Sequence, residues 1–288
     1  MTVQTTPHRW PKRLRRSGSV LAIYWLGACA FQRNLIFPTS AANRSFAEGE
    51  AAPARLPNLD RRMLSTDVGT TEYWYRKAPG ATATTPAGLV VFAHGNAELI
   101  YDQDSIFLGF EKLGYNVAMC EYRGYGLSDG SPSQASITSD TKAMLELLLE
   151  EPEVDPSRLI FAGRSIGTGI VCSLANESTP AAIILISPLE SMARLAWNLY
   201  IPSLFVLDKL DNKSTLSSFQ GPVLLMHGTR DQVIPFDHAV ALQEVTPSST
   251  LEPFDCGHND FPTSSPRVWG LIDNLLSSLA PHESSWLR

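Results

Sequence analysis

Gly163-Arg164-Ser165-Ile166-Gly167 fits the pattern G-x-S-x-G. The apolar residues 158–162 before it predict a buried strand, and the small and apolar residues 168–176 after it predict a helix. A serine on the tight turn between a strand and a helix forms a nucleophile elbow, which presents its hydroxyl above a sheet. Glycine suits both ends of the motif because a side chain there would crowd the place where strand and helix nearly touch. We therefore predict that Ser165 is a nucleophile.

The alternation of strands and helices continues on both sides of this motif. Apolar runs predict strands, and amphipathic patterns predict helices between them. The strands are residues 88–93, 115–120, 181–186, 222–226 and 250–254, and the helices are residues 104–113, 138–150 and 268–279. Strands that alternate with helices form a mostly parallel sheet with helices on both faces, so the predicted fold class is α/β.

A serine hydroxyl is a poor nucleophile at neutral pH and needs a base and a group that orients the base. Asp231 follows the predicted strand 222–226, and His258 follows the predicted strand 250–254. Both therefore lie at the carboxyl edge of the sheet, where parallel sheets build their sites. Alone, Asp231 would fit a turn or a helix cap, and His258 would fit a loop histidine. Their order and their positions at strand ends together favour a Ser165–Asp231–His258 triad.

Acyl transfer also requires donors for the oxyanion. One donor is expected to be the backbone N–H of Ile166, directly after the nucleophile. The other is expected on the loop that follows strand 88–93, where the Asn96 N–H is the candidate and Gly95 allows a close backbone approach. His94 precedes them and is interpreted as a residue that orders this loop rather than as a catalytic one.

Composition and charge limit the classes of partner. The chain has 288 residues and a net charge of −6, enough length for one large domain. Seven of the 23 basic residues and none of the 29 acidic residues lie in residues 1–47, so this segment carries +7 and the remainder −13. Nucleic-acid binding needs a basic face, so an acidic body argues against a nucleic-acid partner.

The N-terminal segment combines basic residues with a short apolar run. Residues 17–32 carry no charge, which favours a secretory signal or a membrane anchor, although about 20 apolar residues are needed to span a bilayer comfortably. A lipidated Cys29 and an apolar helix that packs on the domain are the alternatives. The excess of basic residues before the run favours membrane association with the body on the exported, periplasmic or extracellular, side. The predicted organisation is a leader or anchor at 1–37, a linker at 38–64 and one domain at 65–288.

Residues 189–220, between two predicted strands, are where this arrangement would carry a small cap. The segment is apolar, which fits an acyl or ester pocket and equally fits helices that pack on the sheet. The four cysteines show no metal-type spacing, and Gly257-His258-Asn259-Asp260 lacks companion ligands. We therefore predict neither a metal nor an organic cofactor.

Five motifs in this order resemble the α/β-hydrolase superfamily over roughly residues 65–280. They are HGNA at 94–97, YRGYG at 122–126, GRSIGT at 163–168, HGTRD at 227–231 and GHND at 257–260. The combination is most similar to a branch that includes membrane-associated, depalmitoylase-like serine hydrolases. Residues 31–38 resemble the segment that follows the N-terminal membrane anchor in many proteins of that branch. That branch has an N-terminal cysteine cluster, which a single Cys29 does not match, so its substrate is not carried over.

The expected function is that of a serine hydrolase that cleaves the ester or thioester bond of a small or acyl-chain substrate through an acyl-enzyme. A serine peptidase of aminopeptidase type shares the fold and triad and is an alternative. It would need acidic residues to hold the amine of its substrate, and Glu190 is the candidate for this role near the cap. A non-catalytic, membrane-tethered binding protein on the same scaffold is a further alternative, although such proteins generally lack a triad residue.

Overall fold

The computed structural model describes residues 12–47, 56 and 59–279. Within these residues, one eight-stranded sheet forms the centre of the molecule. Its strands are β1 (Leu59–Thr66), β2 (Gly69–Arg76), β3 (Ala87–Ala93), β4 (Asn116–Cys120), β5 (Val154–Arg164), β6 (Ala182–Ile186), β7 (Val223–Gly228) and β8 (Ser249–Phe254). The strand order is β1-β2-β4-β3-β5-β6-β7-β8. β1 and β2 pair antiparallel with their neighbours, and the pairs from β4 to β8 are parallel. The predicted α/β fold class is confirmed.

Helices cover both faces of the sheet. They are α1 (Lys12–Ile36), α2 (Thr39–Ala47), α3 (Asp104–Lys112), α4 (Gln134–Leu149), α5 (Ile166–Ala175), α6 (Met192–Trp197), α7 (Asn212–Ser218), α8 (Asp237–Val245) and α9 (Pro266–Ser278). Alternate residues of β3 point to opposite faces, as strand geometry requires. Leu89 belongs to the core under α4 and α5, and Val90 belongs to the core under α3 and α9.

The antiparallel edge of the sheet differs from the sequence prediction. β1 begins at Leu59, inside the predicted linker 38–64, and α2 occupies residues 39–47 of the same segment. Four of the eight β1 side chains are exposed and only one is buried, so no apolar run marks this strand. It forms because it pairs along its whole length with β2. Helix α8 was also not predicted. Parts of three predicted segments lie outside the described residues. They are residues 1–11 of the leader, residues 48–55 and 57–58 of the linker, and residues 280–288 of the domain.

The apolar N-terminal run forms most of α1, and this helix packs on the cap. Trp25 stacks on Phe205 with ring centroids 5.5 Å apart. At the end of the helix, Ile36 and the following Phe37 are buried in the core under α4 and α5. Over the described part of the chain, no helix combines the length and the apolar character needed to cross a bilayer. The contacts of Trp25, Ile36 and Phe37 show that this run packs on the domain, which was one of its interpretations.

Candidate active site

Ser165 lies at the turn between β5 and α5. Its backbone has φ +54° and ψ −123°, a conformation that L-residues rarely adopt and that occurs at strained functional turns. A Cβ at position 163 would lie 2.7 Å from the Gly167 carbonyl oxygen, and one at position 167 would collide with the backbone of Ala93. Both glycines are therefore required by the close approach of helix and strand, as the motif predicted.

The structure brings the three predicted triad residues together. Asp231 lies three residues after β7 and His258 lies four residues after β8, so both project from the carboxyl edge of the sheet. The His258 Nε2 atom is 2.9 Å from the Ser165 Oγ, and its Nδ1 atom is 2.7 Å from the Asp231 Oδ2. The arrangement fits an imidazole that donates Nδ1–H to the carboxylate and accepts the serine proton at Nε2. All three residues are buried.

The Asp231 carboxylate is held in its charged form. Burial by itself would raise its pKa, but hydrogen bonds from His227, His258 and the Ile234 N–H outweigh burial and hold the pKa well below its ordinary value. The second carboxylate oxygen accepts the backbone N–H groups of Val233 and Ile234 at 2.9 and 2.8 Å. A fixed negative charge therefore faces His258.

The two predicted oxyanion donors lie on the wall of the cavity that holds Ser165. Ile166 is the first residue of α5, where a backbone N–H has no acceptor within its own helix. Asn96 lies on the loop after β3, and its side chain donates to the Leu35 carbonyl oxygen at 3.2 Å. His94 is fully buried and bonds Glu121 at 2.9 Å, which agrees with its interpretation as a residue that orders the loop.

Arg164 is a residue of the site that sequence reasoning missed. Its guanidinium forms an ion pair with Glu98 and donates to the His258 carbonyl oxygen at 3.0 Å. Glu98 also accepts the Gly95 N–H at 2.9 Å. Arg164 therefore connects the loop that carries Asn96, a predicted oxyanion donor, with the loop that carries His258. It occupies a variable position of G-x-S-x-G, so the motif carries no signal for it.

The cavity above Ser165 has a volume of about 730 Å³, which is within the usual range for small-molecule sites. Most of its lining is apolar, and the cap supplies much of it. The cap residues are Met192, Leu195, Ala196, Leu199, Ile201, Phe205 and Val206. The predicted cap therefore covers the site. Four residues of α1 complete the wall, and no sequence signal assigned them to the site.

Charged side chains in the cavity wall are few. Glu98 is the one acid among the described lining residues, and it is paired with Arg164. Glu190 lines a separate surface depression, where it pairs with Arg194 and Lys213. Throughout residues 12–47, 56 and 59–279, no three His, Cys, Asp or Glu side chains are grouped so that they could hold a metal ion.

The sheet, its helices and the turn at Ser165 form the α/β-hydrolase fold, and comparisons with known proteins agree with this fold. A family model described as "Serine aminopeptidase, S33" matches residues 84–213. α/β-Hydrolase domain-containing protein 17C from Xenopus tropicalis is 35% identical over 189 residues, which cover 64% of this chain and 59% of that protein. The human protein 17C is 35% identical over 175 residues, 59% of this chain and 53% of that protein. The matched region therefore spans little more than half the length of these relatives.

Solved structures show the same fold. An α/β-hydrolase from Vibrio vulnificus matches with a TM-score of 0.65 and 21% identity, over 86% of this chain and 92% of that one. An esterase from Pyrococcus furiosus matches with a TM-score of 0.62 and 17% identity, over 77% of this chain and 90% of that one. The chain thus has the α/β-hydrolase fold and is similar in sequence to α/β-hydrolase domain-containing protein 17C. The predicted resemblance to the α/β-hydrolases is confirmed.

Proposed function

We propose that the protein is a serine hydrolase that cleaves carboxylic esters or thioesters of an acyl-chain substrate. The observation that carries the proposal is the hydrogen-bonded array of Ser165, His258 and Asp231 at the floor of an apolar cavity. An apolar wall favours an acyl chain because burial of each methylene is worth about 0.8 kcal/mol. Glu98 and Arg164 lie in the same wall but are paired with each other, so neither is free to bind a charged group of a substrate.

The proposed reaction proceeds through an acyl-enzyme. His258 Nε2 takes the hydroxyl proton while the Ser165 Oγ attacks the acyl carbonyl, and Asp231 stabilises the imidazolium that forms. The Asn96 and Ile166 N–H groups bind the oxyanion. The imidazolium then protonates the leaving alcohol or thiol. Water enters, loses a proton to His258 and attacks the acyl carbonyl, which releases the carboxylic acid and restores the Ser165 hydroxyl.

The peptidase alternative receives support from the description of the matched family model. An aminopeptidase needs an acid that faces the amine of its substrate. Glu190, the residue suggested for this role, lies outside the cavity wall and is already paired with two cations. Side-by-side assays decide between the two. Para-nitrophenyl esters should be hydrolysed at least 100-fold faster than aminoacyl para-nitroanilides, and the reverse preference would identify a peptidase.

Arg164 should act as a positioning residue. We expect Arg164→Met to lower kcat for a para-nitrophenyl ester about 10- to 100-fold, since small displacements of catalytic groups cost this much. KM and the melting temperature should change little, because the methionine fills most of the same space. Arg230→Met is the matched control, since the Arg230 side chain is largely exposed. A loss of activity that tracks a loss of folded protein would show that Arg164 is only structural.

Attachment to a membrane through the N-terminus is a second proposal. It is supported by the basic residues that precede the apolar run and by outward-facing side chains on α1, of which Ile23 is 69% and Leu26 66% exposed. The double variant Ile23→Asp/Leu26→Asp should lose co-sedimentation with vesicles that contain anionic lipid, and Asn34→Asp on the same helix should keep it. Point substitutions are preferable to a deletion of residues 1–37, because the deletion would also remove the buried Ile36 and Phe37. Equal sedimentation of all three proteins would refute attachment by this face.

A further inference from the structure

Helix α1 contributes one wall of the cavity that contains Ser165. Its lining residues are Ala28, Gln32, Leu35 and Ile36. They are spaced i, i+4, i+7 and i+8, so they form a single stripe along the helix. Ile36 is buried, and Leu35 is 72% exposed. The segment that the sequence predicts as a leader is thus part of the substrate cavity.

Polar contacts hold this stripe against the cap. The Gln32 amide donates to the Phe205 carbonyl oxygen and accepts the Leu207 N–H, both at 2.9 Å. Two turns earlier, Trp25 donates to the Tyr200 carbonyl oxygen at 3.0 Å and Tyr24 donates to that of Leu199 at 2.7 Å. A side-chain amide that satisfies both a carbonyl and an N–H of the same cap segment fixes the spacing of helix and cap.

An ion pair and a second loop fix the other side of the helix. Arg33 pairs with Asp208 at 2.9 Å, and the side chain of Asp208 is 3% exposed. Asp208 also accepts the Gln134 N–H at the start of α4. The carbonyl oxygen of Leu35 accepts from Asn96, the residue of the proposed oxyanion loop. The helix therefore has direct partners on the cap and on the proposed oxyanion loop, and Asp208 links it to the start of α4.

We propose that α1 is a specificity-determining wall of the acyl-binding site and that the alkyl chain of the substrate lies between α1 and the cap. The inference rests on the proposed function, in which an acyl group is attached to Ser165. The floor carries the proposed catalytic groups, and the apolar wall above it comes from the cap, from the α1 stripe and from Val233, Ile234 and Pro235. An acyl chain that extends from Ser165 between the cap and α1 therefore contacts both. Each further methylene should raise kcat/KM by about fourfold until the cavity is filled.

Ala28→Trp is the direct test, because it fills the cavity from the α1 side. Ala30→Trp is the matched control, since Ala30 is exposed on the same helix and does not line the cavity. With para-nitrophenyl acetate, octanoate and dodecanoate, Ala28→Trp should lower the dodecanoate-to-acetate ratio of kcat/KM at least 10-fold, mainly through KM. Ala30→Trp should leave this ratio within twofold of wild type. An equal ratio in all three proteins would overturn the inference and leave the proposed esterase activity intact.

Binding without turnover separates this inference from the proposed reaction. Calorimetric titration of sodium dodecanoate, below its micelle concentration, into Ser165→Ala protein should give a saturable one-site isotherm. Adding Ala28→Trp to that protein should weaken binding at least 10-fold, and adding Ala30→Trp should not. Absence of binding, or equal binding in both double variants, would overturn the inference whether or not the wild type hydrolyses esters. If the tryptophan variant does not fold, Ala28→Leu against Ala30→Leu gives the same comparison with an expected effect of about threefold.

Discussion

Ser165→Ala should abolish covalent labelling by a fluorophosphonate probe and should lower kcat for para-nitrophenyl esters by roughly 10⁴- to 10⁶-fold. The physical reason is the loss of the nucleophile itself, which leaves only the oxyanion donors and the cavity to assist attack by water. The substitution removes one oxygen from a buried turn, so the fold and melting temperature should be retained. Labelling is followed by gel fluorescence and by mass of the modified peptide.

Ser217→Ala is the matched control for this loss. Ser217 is an exposed residue of α7, and its hydroxyl bonds only within its own helix turn, to the Ser214 carbonyl oxygen at 2.9 Å. This variant should label and turn over like wild type. If Ser165→Ala protein is still labelled at the same rate, or if folded wild-type protein is not labelled at all, Ser165 is not the nucleophile.

Asp231→Asn should lower kcat about 10⁴-fold with little change in the structure of the site. An asparagine can still occupy the space of the carboxylate, but it is neutral and cannot stabilise the imidazolium of His258. Its NH₂ group also favours the tautomer with the proton on Nε2, which then cannot accept the proton of Ser165. Because the pKa of Asp231 is held well below its ordinary value, the wild-type carboxylate stays charged in moderately acid solution. The loss of kcat in Asp231→Asn relative to wild type should therefore persist from about pH 5 to 8.

Asp255→Asn controls for the loss of a negative charge near the same loops. The Asp255 side chain is 87% exposed, and its pairing with Arg230 is a surface interaction of little expected energy. Activity within twofold of wild type is expected for this variant. A similar loss in Asp231→Asn and Asp255→Asn would mean that the general field of the acidic body, rather than a contact with His258, supports the reaction.

The catalytic centre could be predicted because each part has a local signature. The turn at Ser165 needs glycines on both sides, and that requirement is visible in five consecutive residues. Asp231 and His258 follow apolar strands directly, so strand prediction alone places them at one edge of the sheet. The same logic located the loop that carries Asn96. The distances between Ser165, His258 and Asp231 could not be predicted, because they depend on how the whole chain folds.

The parts that could not be predicted depend on partners far away in the chain. β1 carries mainly polar and exposed side chains and forms only because β2 pairs with it. Arg164 stands at a position that the motif leaves free, and its role appears only when Glu98 and the His258 loop are beside it. The N-terminal run has the apolar character of an anchor, and nothing local distinguishes that from a helix that packs on a cap.

By itself, the sequence determined the α/β class, the turn at Ser165 and the positions of the proposed triad residues, because these follow from hydrophobic periodicity and from steric demands within a few residues. Only the tertiary structure decided what surrounds Ser165. Gln32 meets the carbonyl oxygen of Phe205 across 173 residues of chain, and such a contact depends on how the whole sheet positions α1 and the cap. The cavity above Ser165 is therefore a product of long-range packing, whereas the residues at its floor are marked by local sequence patterns.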